Sequence, residues 1–316
     1  MATPASWDVV ATVKALPEQI EGFWRHHLGL GAARVFLFMD DPASTYLATD
    51  PRVACVRAEA GGASRPPAIE DRQTANATRA ARISQSDWIL HCDIDEYLDG
   101  DEPVASVLAR AAEDVGALIV APAEPLYESF PASFADILAA RHFKVKVPEV
   151  EAAQAFWARR YGEMIELSNA GFWAHRRGKS FYRTRLAREG RTIPLHGFSH
   201  ARALSVGQKE ARGGLRLRHF DALDFDSWLA KNCARVEGTV QARLAGDARN
   251  ALSRLIRDTL HDGGLDQAKA LFATMFGIDE PLLAEGLERG FIVTRAPLIL
   301  GAGGAGRGRR IRNGDG

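Results

Sequence analysis

Asp93 and Asp95 stand two residues apart at the end of the apolar run Trp88-Ile89-Leu90, and Glu96 and Asp99 follow closely in DWILHCDIDEYLDG. Like charges this close repel and resist burial unless a cation joins them. Hard carboxylate oxygens favour Mg²⁺ or Mn²⁺, which accept one or two carboxylates and complete their shell with water and substrate phosphates. On an extended chain, residues two apart face the same way, so both aspartates could meet one ligand if that geometry persists through the turn. The alternative is a solvated acidic turn. A pair that ends an apolar strand and runs on into Glu96-Tyr97-Leu98 favours the ligand site, with Glu96 and Asp99 behind it or facing solvent.

Several elements must carry this pair. WDVVATVK, Trp7 to Lys14, is β-branched and predicts a buried strand. LPEQIEGFWRHHLGLG predicts a helix, with Ile20, Phe23, Trp24 and Leu28 at helical spacing and Gly29 and Gly31 to stop it. RVFLFMDD is a second strand ending in Asp40 and Asp41, and RVACVRA a third. AIEDRQTANATRAARISQS predicts a helix leading into Trp88–Cys92. Strands alternating with helices imply βαβ units, a largely parallel sheet and ligand-binding loops at the carboxyl ends of the strands. Asp40, Asp41, Asp93 and Asp95 all fall at such ends.

Beyond PVASVLARAAE (helix) and GALIVAPAE (strand), the pattern loses regularity from Pro125 to about Gly171. FDSWLAKNCARVEGTVQARL, ALSRLIRDTLHDG and DEPLLAEGLERGF then read as helices. The expected organisation is a sheet-centred domain over residues 1–223, a helical extension packed on it over 224–300, and a disordered Gly/Arg tail over 301–316.

The totals exclude some classes. With 316 residues, 46% hydrophobic and 25% charged, the composition is that of an ordinary globular chain. Forty basic and 40 acidic residues cancel, which gives no argument for a nucleic-acid partner. Cys55, Cys92 and Cys233 are widely spaced and form neither a CxxC nor a zinc pattern, as in a reduced interior. No secretory signal and no apolar run of about 20 residues is legible. The expectation is a cytoplasmic protein, with peripheral contact at the inner face of the cell membrane through the basic tail left open. Gly301 to Gly306 satisfies GxGxxG, but no helix and strand follow as a dinucleotide fold requires. Gly178-Lys179-Ser180 lacks the upstream spacing of a phosphate-binding P-loop. His196 and His200, four apart, sit in a Pro- and Gly-containing loop rather than on a metal-binding helix.

DWILHCDIDEYL resembles the "dWllflDxDEfl" signature of bacterial GT-A glycosyltransferases of the family 2-like kind, related also to family 92. VVATVKALPEQIEGFWRHHLGLGAARVFLFMDD is similar to the family's first strand, aromatic-rich helix and second strand. GKSFYR and LRHFDALDFDSWLAKN are similar to later segments, so the resemblance runs in order from about residue 8 to 232. Two departures stand out: Ala15-Leu16-Pro17 replaces an acidic residue usual after the first strand, and Asp40-Asp41-Pro42-Ala43-Ser44 replaces the usual loop after the second.

The resemblance implies an α/β fold of GT-A type, with a mostly parallel central sheet flanked by helices, a Rossmann-like nucleotide-binding half and a helical C-terminal portion. It implies sugar transfer from a nucleotide-sugar donor to a glycan, lipid-linked or protein acceptor, with Mn²⁺ or Mg²⁺ as cofactor. The implied metal ligands are Asp93, Asp95 and His219; the implied donor-binding residues are Lys14, Asp40, Gln73, Asp93, Lys179 and His196. Lys179 would meet the diphosphate. A general base must be a group within reach of the acceptor hydroxyl; Glu128 and Glu166 are the candidates, from a region that also holds Glu124 and Glu163. The alternatives are a catalytically weak nucleotide-sugar or glycan-binding protein of the same fold, or a nucleotidyltransferase, for which the expected Gly-rich basic loop after the first strand is missing.

Overall fold

The computed structural model describes residues 4–57, 68–199, 203, 205–238 and 247–298. His200 and the 301–316 tail, including its GxGxxG run, lie outside the described residues. No helix among the described residues is long and apolar enough to cross a membrane.

Among the described residues, eleven strands form one curled sheet. Its first half follows the alternation of strand and helix: β1 (Trp7–Val13), α1 (Pro17–Gly29), β2 (Val35–Met39), β3 (Val53–Arg57), α2 (Ile69–Ile83) and β4 (Trp88–His91). These strands lie side by side as β4-β1-β2-β3, all parallel. All seven residues of β1 are buried, because helices and loops cover both faces of the sheet there. Val9, Ala11 and Val13 pack into one apolar layer and Val10 into the other, as the two-residue period of a strand requires.

The second half departs from the expected topology. β5 (Glu96–Asp99) follows a tight turn; then come α3 (Val104–Ala109), β6 (Ala117–Leu126), α4 (Phe134–Leu138), β7 (His142–Val145), α5 (Val150–Tyr161), β8 (Lys179–Arg183), α6 (Arg185–Arg188), β9 (Gln208–Glu210) and β10 (Arg216–His219). Strand β8 returns antiparallel between β4 and β6. The expectation of a mostly parallel sheet is therefore corrected: five of the ten pairings among the described residues are antiparallel. The reason is the ten-residue strand β6, which pairs with β8 and β9 along its first half and with β7 and β10 along its second.

The C-terminal stretch supplies α7 (Phe225–Val236), α8 (Asp247–Phe276, broken at Gly264) and α9 (Glu280–Glu288). It is not wholly helical, since β11 (Ile292–Thr294) joins the sheet edge beside β7. Asp224 caps α7 by accepting the Ser227 N–H at 2.6 Å, and also accepts from Gln19 of α1 at 3.1 Å. Trp228 of α7 meets Phe272 of α8 edge to face at 5.2 Å.

Two histidines of α1 wedge this helix against β5. His27 has no exposed surface; its Nδ1 donates to the Phe23 carbonyl at 2.9 Å, while its Nε2 accepts the Leu98 N–H at 3.4 Å. That bonding requires the neutral ring, and burial, with His26 beside it, lowers its pKa well below 6.5. The unfolded chain takes up this proton below about pH 6.5 and the folded chain does not, so stability is full above that pH and falls as pH drops. Denaturant unfolding at pH 7.5, 6 and 5 is expected to show a loss approaching about 1.4 kcal/mol per pH unit from this residue. His27→Gln, which cannot titrate, is expected to flatten the slope; an unchanged slope contradicts the assignment.

Candidate active-site cleft

The carboxyl ends of β1, β2 and β4 open on one edge of the sheet, and there a cleft of about 650 Å³ is found. Lys14 lies just past β1, Asp40 just past β2, and Asp93 and Asp95 just past β4. Gln73 enters from α2, His196 from the loop after α6, and His219 from the end of β10. All seven line this cleft.

The two aspartates do not sit on a continued strand. The chain turns at Ile94 and Asp95, the Asp93 carbonyl accepts the Glu96 N–H at 3.1 Å, and β5 begins at once. The carboxylates consequently have different surroundings. Asp93 accepts from Gln73 Nε2 at 2.6 Å and from Lys179 Nζ at 2.7 Å, one donor on each oxygen. Asp95 places Oδ2 at 3.6 Å from Lys231 Nζ and 3.8 Å from His219 Nε2. Its Oδ1 is buried with no hydrogen-bond partner among the described residues, as is His219 Nδ1. An unpartnered buried carboxylate oxygen is costly and calls for an explanation.

Lys179, expected in contact with a diphosphate, has no exposed surface. It stands behind the cleft wall, 2.7 Å from Asp93 and 3.7 Å from Glu96. Its position depends on Gly178, at φ 72°, where an added Cβ would lie 2.0 Å from the Val120 carbonyl oxygen. Glu96, fully buried, accepts the Asp93 N–H at 2.8 Å and so fixes the turn from below.

Electrostatics follow from this layering. Burial raises the Asp93 carboxyl pKa, but the Lys179 ammonium more than offsets it and holds the group below the ordinary range. Asp95 is likewise held low against burial, by Lys231 and then His219. Burial pushes Glu96 up to about 7. His219, despite burial, is raised to about 9 by Asp95 and the acidic groups around it. His175 and His196, whose rings meet at 3.9 Å, are lowered by burial to about 2 and about 4, and both face the cleft as neutral imidazoles.

Sequence reasoning assigned no role to several residues lining the cleft: Trp173, His175, Asp221, Lys231, Arg235 and Arg249. Asp221 lies two past His219 in RHFD, the same spacing as Asp93 and Asp95, and that repeat was its available signal. Lys231 falls within the resembling segment LRHFDALDFDSWLAKN. Nothing local marks Arg235 or Arg249, because only the packing of α7 on α8 turns them to the cleft. Arg249 holds Asp221 at 2.9 and 3.1 Å and donates to the Trp173 carbonyl at 2.6 Å.

The candidate bases are elsewhere or engaged. Glu128 is 67% exposed in its side chain, pairs with His142 at 3.3 Å and lines a separate pocket of about 190 Å³. Glu166 lies in the 3₁₀ segment Gly162–Leu167 and does not line the cleft. Glu124 is buried against Lys144 and accepts the N–H groups of Trp173 and Ala174 at 3.0 and 2.7 Å, which makes it the anchor of the wall carrying His175. Asp40 is clamped by Nε and Nη2 of Arg72, one on each carboxylate oxygen, at 2.8 Å each.

A divalent ion can be tested against these groups. No set of three His, Cys, Asp or Glu side chains arranged to hold a metal is found among the described residues. Mg²⁺ and Mn²⁺ in phosphate sites need only one or two carboxylates. Asp95 Oδ1 meets that need, with His219 beside it, and each Asp93 oxygen keeps a lone pair beyond its present bond.

No protein-family model matches the sequence, and no curated protein matches it. Among solved structures, a mannosyltransferase from Pyrobaculum calidifontis in complex with GDP-Man and Mn²⁺ is 15% identical, covering 91% of this chain and 80% of its own, with a TM-score of 0.38. A mycobacterial protein is 13% identical, covering 76% of each chain, with a TM-score of 0.32.

Proposed function

We propose that this protein is a metal-dependent glycosyltransferase that moves a sugar from a nucleotide-sugar donor to a glycan, lipid-linked or protein acceptor. The observation that carries this reading is the buried, unpartnered Asp95 Oδ1 in a cleft of about 650 Å³ that gathers carboxylates, imidazoles and cations from widely separated segments. The volume falls within the roughly 300–1,000 Å³ of small-molecule sites, and seven of the residues named from the ordered sequence resemblance line it.

Asp95, with His219 and Asp93 beside it, would hold Mn²⁺ or Mg²⁺, and the ion supplies positive charge to the leaving diphosphate. Lys179 and Gln73 orient Asp93 from behind and from the side. Lys14 and Asp40 border the nucleoside end of the cleft, Asp40 held rigid by Arg72. Neutral His175 and His196 offer hydrogen bonds to sugar hydroxyls without adding charge.

Incubation with a panel of nucleotide-sugars and Mn²⁺ tests the reading through nucleoside diphosphate release. Release from at least one donor, abolished by a chelator and restored by Mn²⁺, is expected. Thermal stabilisation without release points to the binding protein instead, and indifference to every nucleotide overturns the proposal.

A further inference from the structure

Lys179 is unavailable to a ligand, so the positive wall of the cleft must be sought elsewhere. It is found on α7. Lys231 and Arg235 are four residues apart, hence on one face of the helix, and both line the cleft. Lys231 Nζ sits 3.6 Å from Asp95 and 3.2 Å from Asp221. Arg235 differs from the other arginines here. Its guanidinium has one hydrogen bond, to the Asn232 amide oxygen at 3.3 Å, and no carboxylate within ion-pair distance among the described residues. That amide oxygen is already engaged by the Ser253 hydroxyl at 2.9 Å. Arg249, one helix away, is by contrast fully occupied with Asp221 and the Trp173 carbonyl.

A half-buried guanidinium that faces a cleft with no carboxylate at bonding distance among the described residues is a receptor geometry, since its planar fork matches phosphate and carboxylate oxygens. Burial and Arg249 disfavour its charge, Asp221 and Asp95 offset this only from beyond bonding distance, and Lys231 adds a second positive charge one turn away. We infer that Lys231 and Arg235 form a phosphate-binding ridge, contributed by the first helix after β10, on the side of the cleft where Asp95 lies. Two phosphates could reach it: the donor's diphosphate, or a phosphate on the acceptor. The inference deepens the glycosyltransferase reading but does not need sugar transfer to be tested.

The test measures binding of inorganic pyrophosphate, a nucleoside diphosphate and the parent nucleoside by calorimetry to the full chain, Arg235→Met, Arg235→Lys and Lys231→Met. Arg235→Met is expected to weaken pyrophosphate and nucleoside diphosphate about 10- to 100-fold, to leave the nucleoside unchanged and to reduce the salt dependence of binding. Arg235→Lys is expected to recover part of the loss. Because Arg235 has no carboxylate at bonding distance to lose among the described residues, the melting temperature of Arg235→Met should move by only a few degrees, whereas loss of a purely structural arginine would lower it well beyond that. If pyrophosphate is weakened while the nucleoside diphosphate is not, the ridge serves a phosphate on the acceptor. Equal phosphate affinities in the parent and Arg235→Met overturn the inference even if nucleotide-sugars are turned over; a ridge that binds pyrophosphate in a protein that turns over none would leave it standing and sink the transferase reading.

Discussion

Asp95→Asn is expected to lower nucleoside diphosphate release by at least about a hundredfold, on the scale of removing one preorganised electrostatic contact, while the melting temperature moves by only a few degrees. The two effects separate because of where the carboxylate stands. Oδ1 has no hydrogen-bond partner among the described residues, and Oδ2 lies 3.6 Å or more from its cations, so little hydrogen bonding is lost with the charge. What the amide cannot do is offer a second anionic oxygen to a divalent ion. Lys231 would then face the cleft with one negative group fewer, which repels the ion further. A variant that keeps its rate removes Asp95 from the chemistry.

Lys144→Met carries the second large effect, on stability: a loss of about 3–5 kcal/mol, the scale of breaking a buried ion pair. Lys144 and Glu124 are 2.7 Å apart, with side-chain exposures of 0% and 1%. The ammonium also donates to the Gly171 carbonyl at 2.7 Å and lies 5.5–5.7 Å from the rings of Trp157, Tyr161, Phe172 and Trp173. Methionine fills the aromatic box but leaves the Glu124 carboxylate uncompensated. Adding Glu124→Gln should restore part of the stability, because the remaining buried group is neutral. It should not restore all of the activity. Glu124 holds the Trp173 and Ala174 N–H groups with its two oxygens, and an amide has only one. Chemical denaturation of the single and double variants measures both statements; a single variant as stable as the parent contradicts the first.

The first half of the sheet was legible because each of its strands is short, apolar and followed by a local signal: Pro17 for α1, the Asp40-Asp41 stop after β2, the Ala-rich run of α2. The Asp93 and Asp95 pair at the mouth of the cleft was legible for the same reason, since both residues interrupt the apolar run that forms β4. Their geometry was not, because the extended chain gives way to a turn fixed by Glu96, a contact that spacing alone does not reveal. Strand β8 shows the limit more sharply. GKSFYR reads as a basic segment, and its antiparallel place between β4 and β6 depends on partners 59 to 95 residues away. Lys179 is tolerated in the sheet interior only because Asp93 and Glu96 meet it there. The α7 ridge was unreadable for a related reason: Lys231 and Arg235 look like an ordinary solvated helix face until α8 closes over them.

Calorimetric titration of a nucleoside diphosphate into the parent protein and Asp95→Asn, each with and without Mn²⁺, tests the Asp95-centred site most directly. The parent is expected to bind at least about tenfold more tightly with Mn²⁺, a coupling of about 1.4 kcal/mol, and Asp95→Asn to show no such gain. Equal affinity with and without the ion in the parent, or an undiminished gain in the variant, would contradict a metal–diphosphate site built on Asp95.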